Sequence, residues 1–128
     1  MYKCLSMAAI FMGVSVTQVP ALETQNGAVS TQAVITGVDD AWGLAFLPDG
    51  GLLFTRKSGS LFHLDAGGTL REIAGVPQVN DRGQGGLLDV MVPRDFAESR
   101  QVFLTYSKPQ SRGSGTALYT GRLMPDAE

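Results

Sequence analysis

Cysteine and histidine are almost missing from this chain, with only Cys4 and His63 among 128 residues. Cys4 lies at the start of the N-terminal apolar stretch, so the remainder has no thiol. It can form no disulfide, bind no metal through sulfur and use no cysteine nucleophile. An excess of positive charge is also lacking. The formal net charge is −2 and the basic residues are scattered. Nothing in that pattern calls for nucleic acid or an anionic membrane as a partner. No segment keeps a 3.6-residue apolar period, so no helix is expected beyond a turn near Asp95–Arg100. A membrane-length apolar run is missing as well. The one uncharged stretch, Cys4 to Val16, is about 13 residues against the ~20 a spanning helix needs.

That short stretch follows Lys3 and precedes Val19-Pro20-Ala21. A positive start, a short apolar centre and small residues after it make a secretory signal peptide, with cleavage expected after Ala21. Residues 22–31 are polar and aperiodic and are expected to form a flexible leader. Glycine is plentiful, with sixteen in the chain, and six prolines accompany them. They separate short apolar runs that suit strands: Ala33–Val38, Trp42–Leu47, Leu52–Arg56, Ser60–Leu64, Leu70–Ala74, Leu87–Val92, Val102–Tyr106 and Thr116–Leu123. In Pro48-Asp49-Gly50-Gly51, proline presets φ and glycine accepts a left-handed position, which reverses the chain tightly. The expected class is all-β.

Two of these strands recur. Ala45-Phe46-Leu47-Pro48 lines up with Val90-Met91-Val92-Pro93, and Leu52-Leu53-Phe54-Thr55 with Val102-Phe103-Leu104-Thr105. A period in the forties holding about four strands suits a β-propeller blade, although short apolar strands resemble one another by chance. Residues 32–128 would supply roughly two blades, whereas propellers close with about four to eight. Two blades alone leave an apolar face and strand edges in water. The chain therefore reads either as the front part of a longer propeller or as a small sandwich.

The polar loop Arg82-Gly83-Gln84-Gly85-Gly86 runs directly into the apolar Leu87–Val92. Glycines allow positive φ and close approach of the backbone. They bracket Gln84, whose amide both donates and accepts hydrogen bonds. Gln84 in such a loop is either a turn residue bonding its own backbone or a contact to a polar ligand. Arg82 is either a solvated loop arginine or a second rim contact. Asp89 is expected to make a structural bond to amides of a neighbouring blade, and Trp42 to be a core aromatic. Asp39 and Asp40 are adjacent and diverge in an extended chain, so they suggest no metal site. His63 reads as a surface or blade-face residue. No catalytic, metal or cofactor-binding residue is assigned.

The segments Ala41–Gly50, Gly75-Val76-Pro77, Arg82–Val90, Asp95–Arg100, Gly115-Thr116-Ala117 and Gly121-Arg122-Leu123 come in an order that resembles one family. It is that of the soluble aldose sugar dehydrogenases using pyrroloquinoline quinone (PQQ), also labelled glucose/sorbosone dehydrogenases. The resemblance implies the first blades of a six-bladed propeller, a periplasmic or secreted location, and PQQ with calcium over the central channel. It implies oxidation of an aldose at C1 to a lactone, with hydride passing to the quinone and a histidine acting as base. Gln84 matches a family glutamine that contacts the sugar. His63 matches no family motif, and the family's base, calcium ligands and most quinone contacts fall in later blades. The chain alone is thus expected to be inactive. The resemblance leaves the electron acceptor open and allows a homodimer of the full-length protein. The alternative is a non-catalytic propeller module that binds a ligand or protein through the same loops. Three departures touch turns and edges: Ala41 for the usual proline, no glutamate after Thr55, and Pro93 one place early.

Overall fold

The computed structural model describes residues 22–124, and the expected signal peptide lies outside them. Two compact units divide the chain, residues 1–37 and 38–128. In the first, β1 (Leu22–Thr24) and β2 (Gly27–Val29) pair antiparallel. The Thr24 hydroxyl closes the turn, donating to the Gly27 carbonyl at 2.7 Å and accepting from the Asn26 amide at 3.2 Å. A hairpin thus stands where the polar composition suggests aperiodic chain. Local side-chain bonds by Thr and Asn define a turn without any apolar pattern. The expected strand at Ala33–Val38 is not formed, because no described strand pairs with it.

The second unit has two sheets. β3 (Ala41–Phe46), β4 (Leu52–Arg56), β5 (Leu61–Leu64) and β6 (Leu70–Ile73) form an antiparallel meander in sequence order. β7 (Leu87–Met91), β8 (Gln101–Pro109) and β9 (Ser114–Arg122) form the other. The β3–β4 turn follows the Pro-Asp-Gly signal. Gly50 has φ +88°, Asp49 Oδ1 accepts the Gly51 amide at 3.0 Å, and Leu47 N–H reaches the Gly51 carbonyl at 2.8 Å. Between β7 and β8 the reversal is longer and holds α1 (Phe96–Ser99), near the expected helical turn. Arg100 ends α1 at φ 55°, its N–H on the Phe96 carbonyl and its guanidinium over the buried Phe96 ring. Among the described residues no helix is long and apolar enough to cross a membrane.

The sheets meet face to face. Ala45, Leu47, Leu53 and Leu61 of the first pack into one core with Leu87, Val90, Val102, Leu104 and Tyr106 of the second, closed by Phe96 and Leu123. This alternation puts the apolar side of each strand into a shared interior. The other faces carry exposed Leu44 and Phe46 on the first sheet and exposed Met91 and Leu118 on the second.

Strand pairing confirms an internal repeat and moves its register by one. In β3, Ala41 pairs with Arg56 and Leu44 with Phe54, leaving Trp42 and Gly43 together opposite Thr55. In β7, Leu87 pairs with Tyr106 and Val90 with Leu104, leaving Leu88 and Asp89 opposite Thr105. Both inner strands carry the same bulge, two residues against one. Leu44, not Ala45, therefore matches Val90, while Thr55 still matches Thr105. Short apolar strands look alike after a one-residue slip. Only the hydrogen-bond ladder distinguishes the two alignments.

Candidate functional site

The bulges give the threonine opposite each one a task. Thr55, fully buried, accepts the Gly43 amide at 2.9 Å and donates to the Leu88 carbonyl at 2.8 Å, bridging the two sheets. Thr105 accepts the Asp89 amide at 3.1 Å. Gly43 is required by this closeness, since a Cβ there would lie 2.8 Å from both Leu88 O and Asp89 Oδ1.

Lys57, just past β4, organises the rim above the inner strands. Its N–H donates to the Asp40 carbonyl at 3.2 Å, and its carbonyl accepts the Leu87 N–H at 3.0 Å. One residue thereby ties the entry of β3 to the entry of β7. The matching bond in the second sheet runs from Ser107 N–H to the Gly86 carbonyl at 2.8 Å. Asp40 and Gly86 both have positive φ, 53° and 139°. Gly86 also lies so close to Lys57 that a Cβ would meet the Lys57 carbonyl oxygen. No other residue fits there without moving the loop.

The loop bearing Gln84 is held at both ends and from within. Asn80 N–H donates to the Ser107 carbonyl at 2.8 Å, Arg82 N–H to Asn80 Oδ1 at 3.2 Å, and Gly85 N–H to the Arg82 carbonyl at 2.9 Å. A Cβ on Gly85 would collide with the Asn80 carbonyl. Gln84 and Arg82 are both exposed at the tip. Neither side chain has a hydrogen-bonding partner among the described residues, so the Gln84 amide is not spent on its own turn.

Two residues differ from expectation. Trp42 is 53% exposed at the start of the inner strand, not a core aromatic. Leu44 and Phe46 of the same strand are exposed as well, at 52% and 74%. Asp89 is exposed as well, and its Oδ1 accepts the amide of its own neighbour Val90 at 2.9 Å instead of amides of another blade.

His63 sits on β5 opposite Leu53, with Nε2 buried, unbonded and close to Gly51. It stands on a sheet face away from the rim, as the sequence suggests. Asp39 and Asp40 belong to no metal cluster, and no three of His, Cys, Asp or Glu come together among the described residues. A cleft of 250 Å³ lies between the sheets, lined by Leu61, Ile73, Val76, Val102, Tyr119 and Leu123 among others. It is apolar, excludes the rim loop and offers little to a polar ligand.

Comparison with known proteins places this geometry. The Glucose / Sorbosone dehydrogenase family profile matches residues 38–128. The aldose sugar dehydrogenase YliI of Escherichia coli K12 is 46% identical over 101 residues, covering 77% of this chain and 27% of its own. A solved glucose dehydrogenase superposes with a TM-score of 0.67 at 39% identity, over 89% of this chain and 32% of that one. The PQQ-bound aldose sugar dehydrogenase of Streptomyces coelicolor gives 0.56 at 30% identity, over 70% of this chain and 31% of that one. The chain thus spans about a quarter to a third of the length of these relatives. The two stacked sheets are blades of a β-propeller, and the chain belongs to the glucose/sorbosone dehydrogenase family.

Proposed function

We propose that this chain supplies one wall of the sugar site in an exported, PQQ-dependent dehydrogenase that oxidises aldoses at C1 to lactones. The observation that carries the reading is Gln84. Its amide stands unpaired at the tip of a loop that Lys57, Ser107 and Asn80 hold in place. An amide offering both a donor and an acceptor suits sugar hydroxyls, which do the same. Arg82 adds a second donor group beside it. A loop held this firmly loses little freedom on binding, which favours even a few contacts.

The residues described here do not fit the remaining machinery. The rim loop has one exposed cation, Arg82, whereas PQQ carries three carboxylates, and the described residues include no donor cluster for calcium. Quinone, calcium and the base are assigned to other parts of the complete site. This region binds and orients sugar.

A chimera tests the proposal. Residues 38–124 replace the matching segment of the E. coli relative, and glucose oxidation is followed with a dye after PQQ and calcium are added. The expected chimera is active, and Gln84→Ala in it raises KM for sugar while PQQ affinity stays the same. A folded, PQQ-binding chimera with no sugar oxidation would sink the enzymatic reading in favour of a binding module. The 128-residue chain by itself should show no turnover, and turnover would refute the division of labour.

A further inference from the structure

Asp40 and Arg100 are the two non-glycine residues at positive φ among those described. Arg100 closes α1 through its own N–H and its contact with the Phe96 ring. Asp40 has no helix to end, and φ 53° brings its Cβ close to the backbone. Support for that conformation comes from the end of β4. Arg56 Nε–H donates to the Asp39 carbonyl at 2.9 Å, and Lys57 N–H donates to the Asp40 carbonyl at 3.2 Å. Two adjacent residues thus take two successive carbonyls of one left-handed turn. Arg56 is itself fixed, its N–H on the Ser60 carbonyl at 2.8 Å and its carbonyl on the Gly59 N–H at 3.0 Å. It also pairs with Ala41 in the ladder. Its guanidinium therefore reaches the turn from a rigid base.

What happens at this turn bears on the loop of Gln84. The Lys57 carbonyl holds the Leu87 N–H at 3.0 Å, and Gly86 is pressed against Lys57. If Asp40 relaxed to an ordinary negative φ, its carbonyl would turn away and the Lys57 N–H would lose its acceptor. We propose that Arg56 is a positioning residue for the Gln84 loop. It keeps the Asp39–Asp40 turn left-handed, which fixes Lys57 and, through the Lys57 carbonyl, the entry of β7. A charged donor suits the task, since its bond to a carbonyl is stronger than a neutral one. Arg56 acts through Lys57 and needs no contact with sugar. Its effect on activity rests on the reading of Gln84 as a sugar contact, whereas its hold on the loop requires no ligand.

Both parts can be measured. Amide hydrogen exchange is followed by NMR in the full chain, and glucose kinetics in the chimera. Arg56→Met keeps the aliphatic stem and removes the donor. It should speed exchange at Lys57 and Leu87 about tenfold, the scale of one charged hydrogen bond, with little change at Leu53 and Leu104. In the chimera it should raise KM for glucose about threefold, a part of that bond, at unchanged kcat and PQQ affinity. Arg56→Lys should restore both, because Nζ can reach the same carbonyl. Ala41→Pro pushes Asp40 toward extended backbone and leaves Arg56 in place, so it should reproduce the effect and add little to Arg56→Met. Unchanged exchange at Leu87, or exchange accelerated equally throughout the chain, would overturn the proposal. Local acceleration with an unchanged KM, where Gln84→Ala still raises KM, would overturn it too. Local acceleration with KM unmoved by either variant would overturn the Gln84 reading and leave the hold of Arg56 on the loop standing.

Discussion

The two sheets are built on one plan and buried in opposite ways. Leu44 and Val90 occupy the same place in the bulged inner strands, yet Leu44 is 52% exposed and Val90 3%. One residue further on the order reverses, with Ala45 at 9% and Met91 at 51%. The strands have the same pleat and the same bulge. What differs is which face meets a neighbour, because each sheet covers one side of the other. Burial here is a property of the stack, not of the position in a strand. The rims show a similar contrast. Asp40 and Gly86 make equivalent backbone bonds at positive φ, but Asp40 is exposed and tolerates a side chain, whereas Gly86 is pressed against Lys57. The loop after β6 can hold Gln84 steady because a glycine lets it close against the first sheet.

Substitutions at matched positions should separate the sheets. The largest effect is expected at Leu53, fully buried between them. Leu53→Ala should cost about 3 kcal/mol in urea unfolding, and Phe103→Ala, its half-buried match, about 1 kcal/mol. Equal losses would break the contrast between covered and open faces. Next, Gly86→Ala should cost about 3 kcal/mol through collision and a strained φ, while Asp40→Gly should be neutral or stabilise by about 0.5 kcal/mol. A tolerated Gly86→Ala would remove the reason given for the loop's position. Thr55→Val leaves a buried amide and carbonyl unpaired and should cost about 2 kcal/mol. Thr105→Val, with one bond at a half-exposed site, should cost about 0.5 kcal/mol. The smallest effect concerns a turn of the first sheet. Asp65 Oδ1 accepts the Thr69 amide at 2.8 Å, and this bond, more than any other cause, lowers the carboxyl's pKa. A carboxylate with a lowered folded pKa stabilises above its unfolded value and loses that contribution as pH falls through the lower one. An NMR titration should therefore place Asp65 below an ordinary aspartate, with the Thr69 amide shift following it. Asp65→Asn should abolish that step.

Much of the second unit was legible in the sequence, for reasons visible in particular residues. Leu52–Arg56 and Leu87–Met91 read as strands because β-branched and large apolar residues stood between turn signals. Pro48-Asp49-Gly50 read as a turn because each residue favours one part of that geometry. Ala33–Val38 had the same strand composition and formed none, since a strand needs a partner as well as propensity. The hairpin at Leu22–Val29 was missed for the converse reason, its turn being held by local polar bonds. At the candidate site, what the glycines around Gln84 made legible is a tightly turned loop, seen in the positive φ of Gly83 and Gly86. Trp42 and Asp89 were misjudged because each lies in a bulge, and a bulge leaves no mark in a period-two pattern.

Composition, turn residues and the ordered segments from Ala41 to Leu123 were enough by themselves to determine an all-β chain, most strands of its second unit and its family. These are local matters, settled by backbone preference and by which residues can occupy a tight reversal. Long-range pairing decided the rest: the strand ladders set the repeat's true register, and the stacking of the sheets set the covered faces and the joining of the β3 and β7 entries through Lys57. Those depend on hydrogen bonds and contacts between residues far apart in the chain, where neighbouring sequence exerts no constraint.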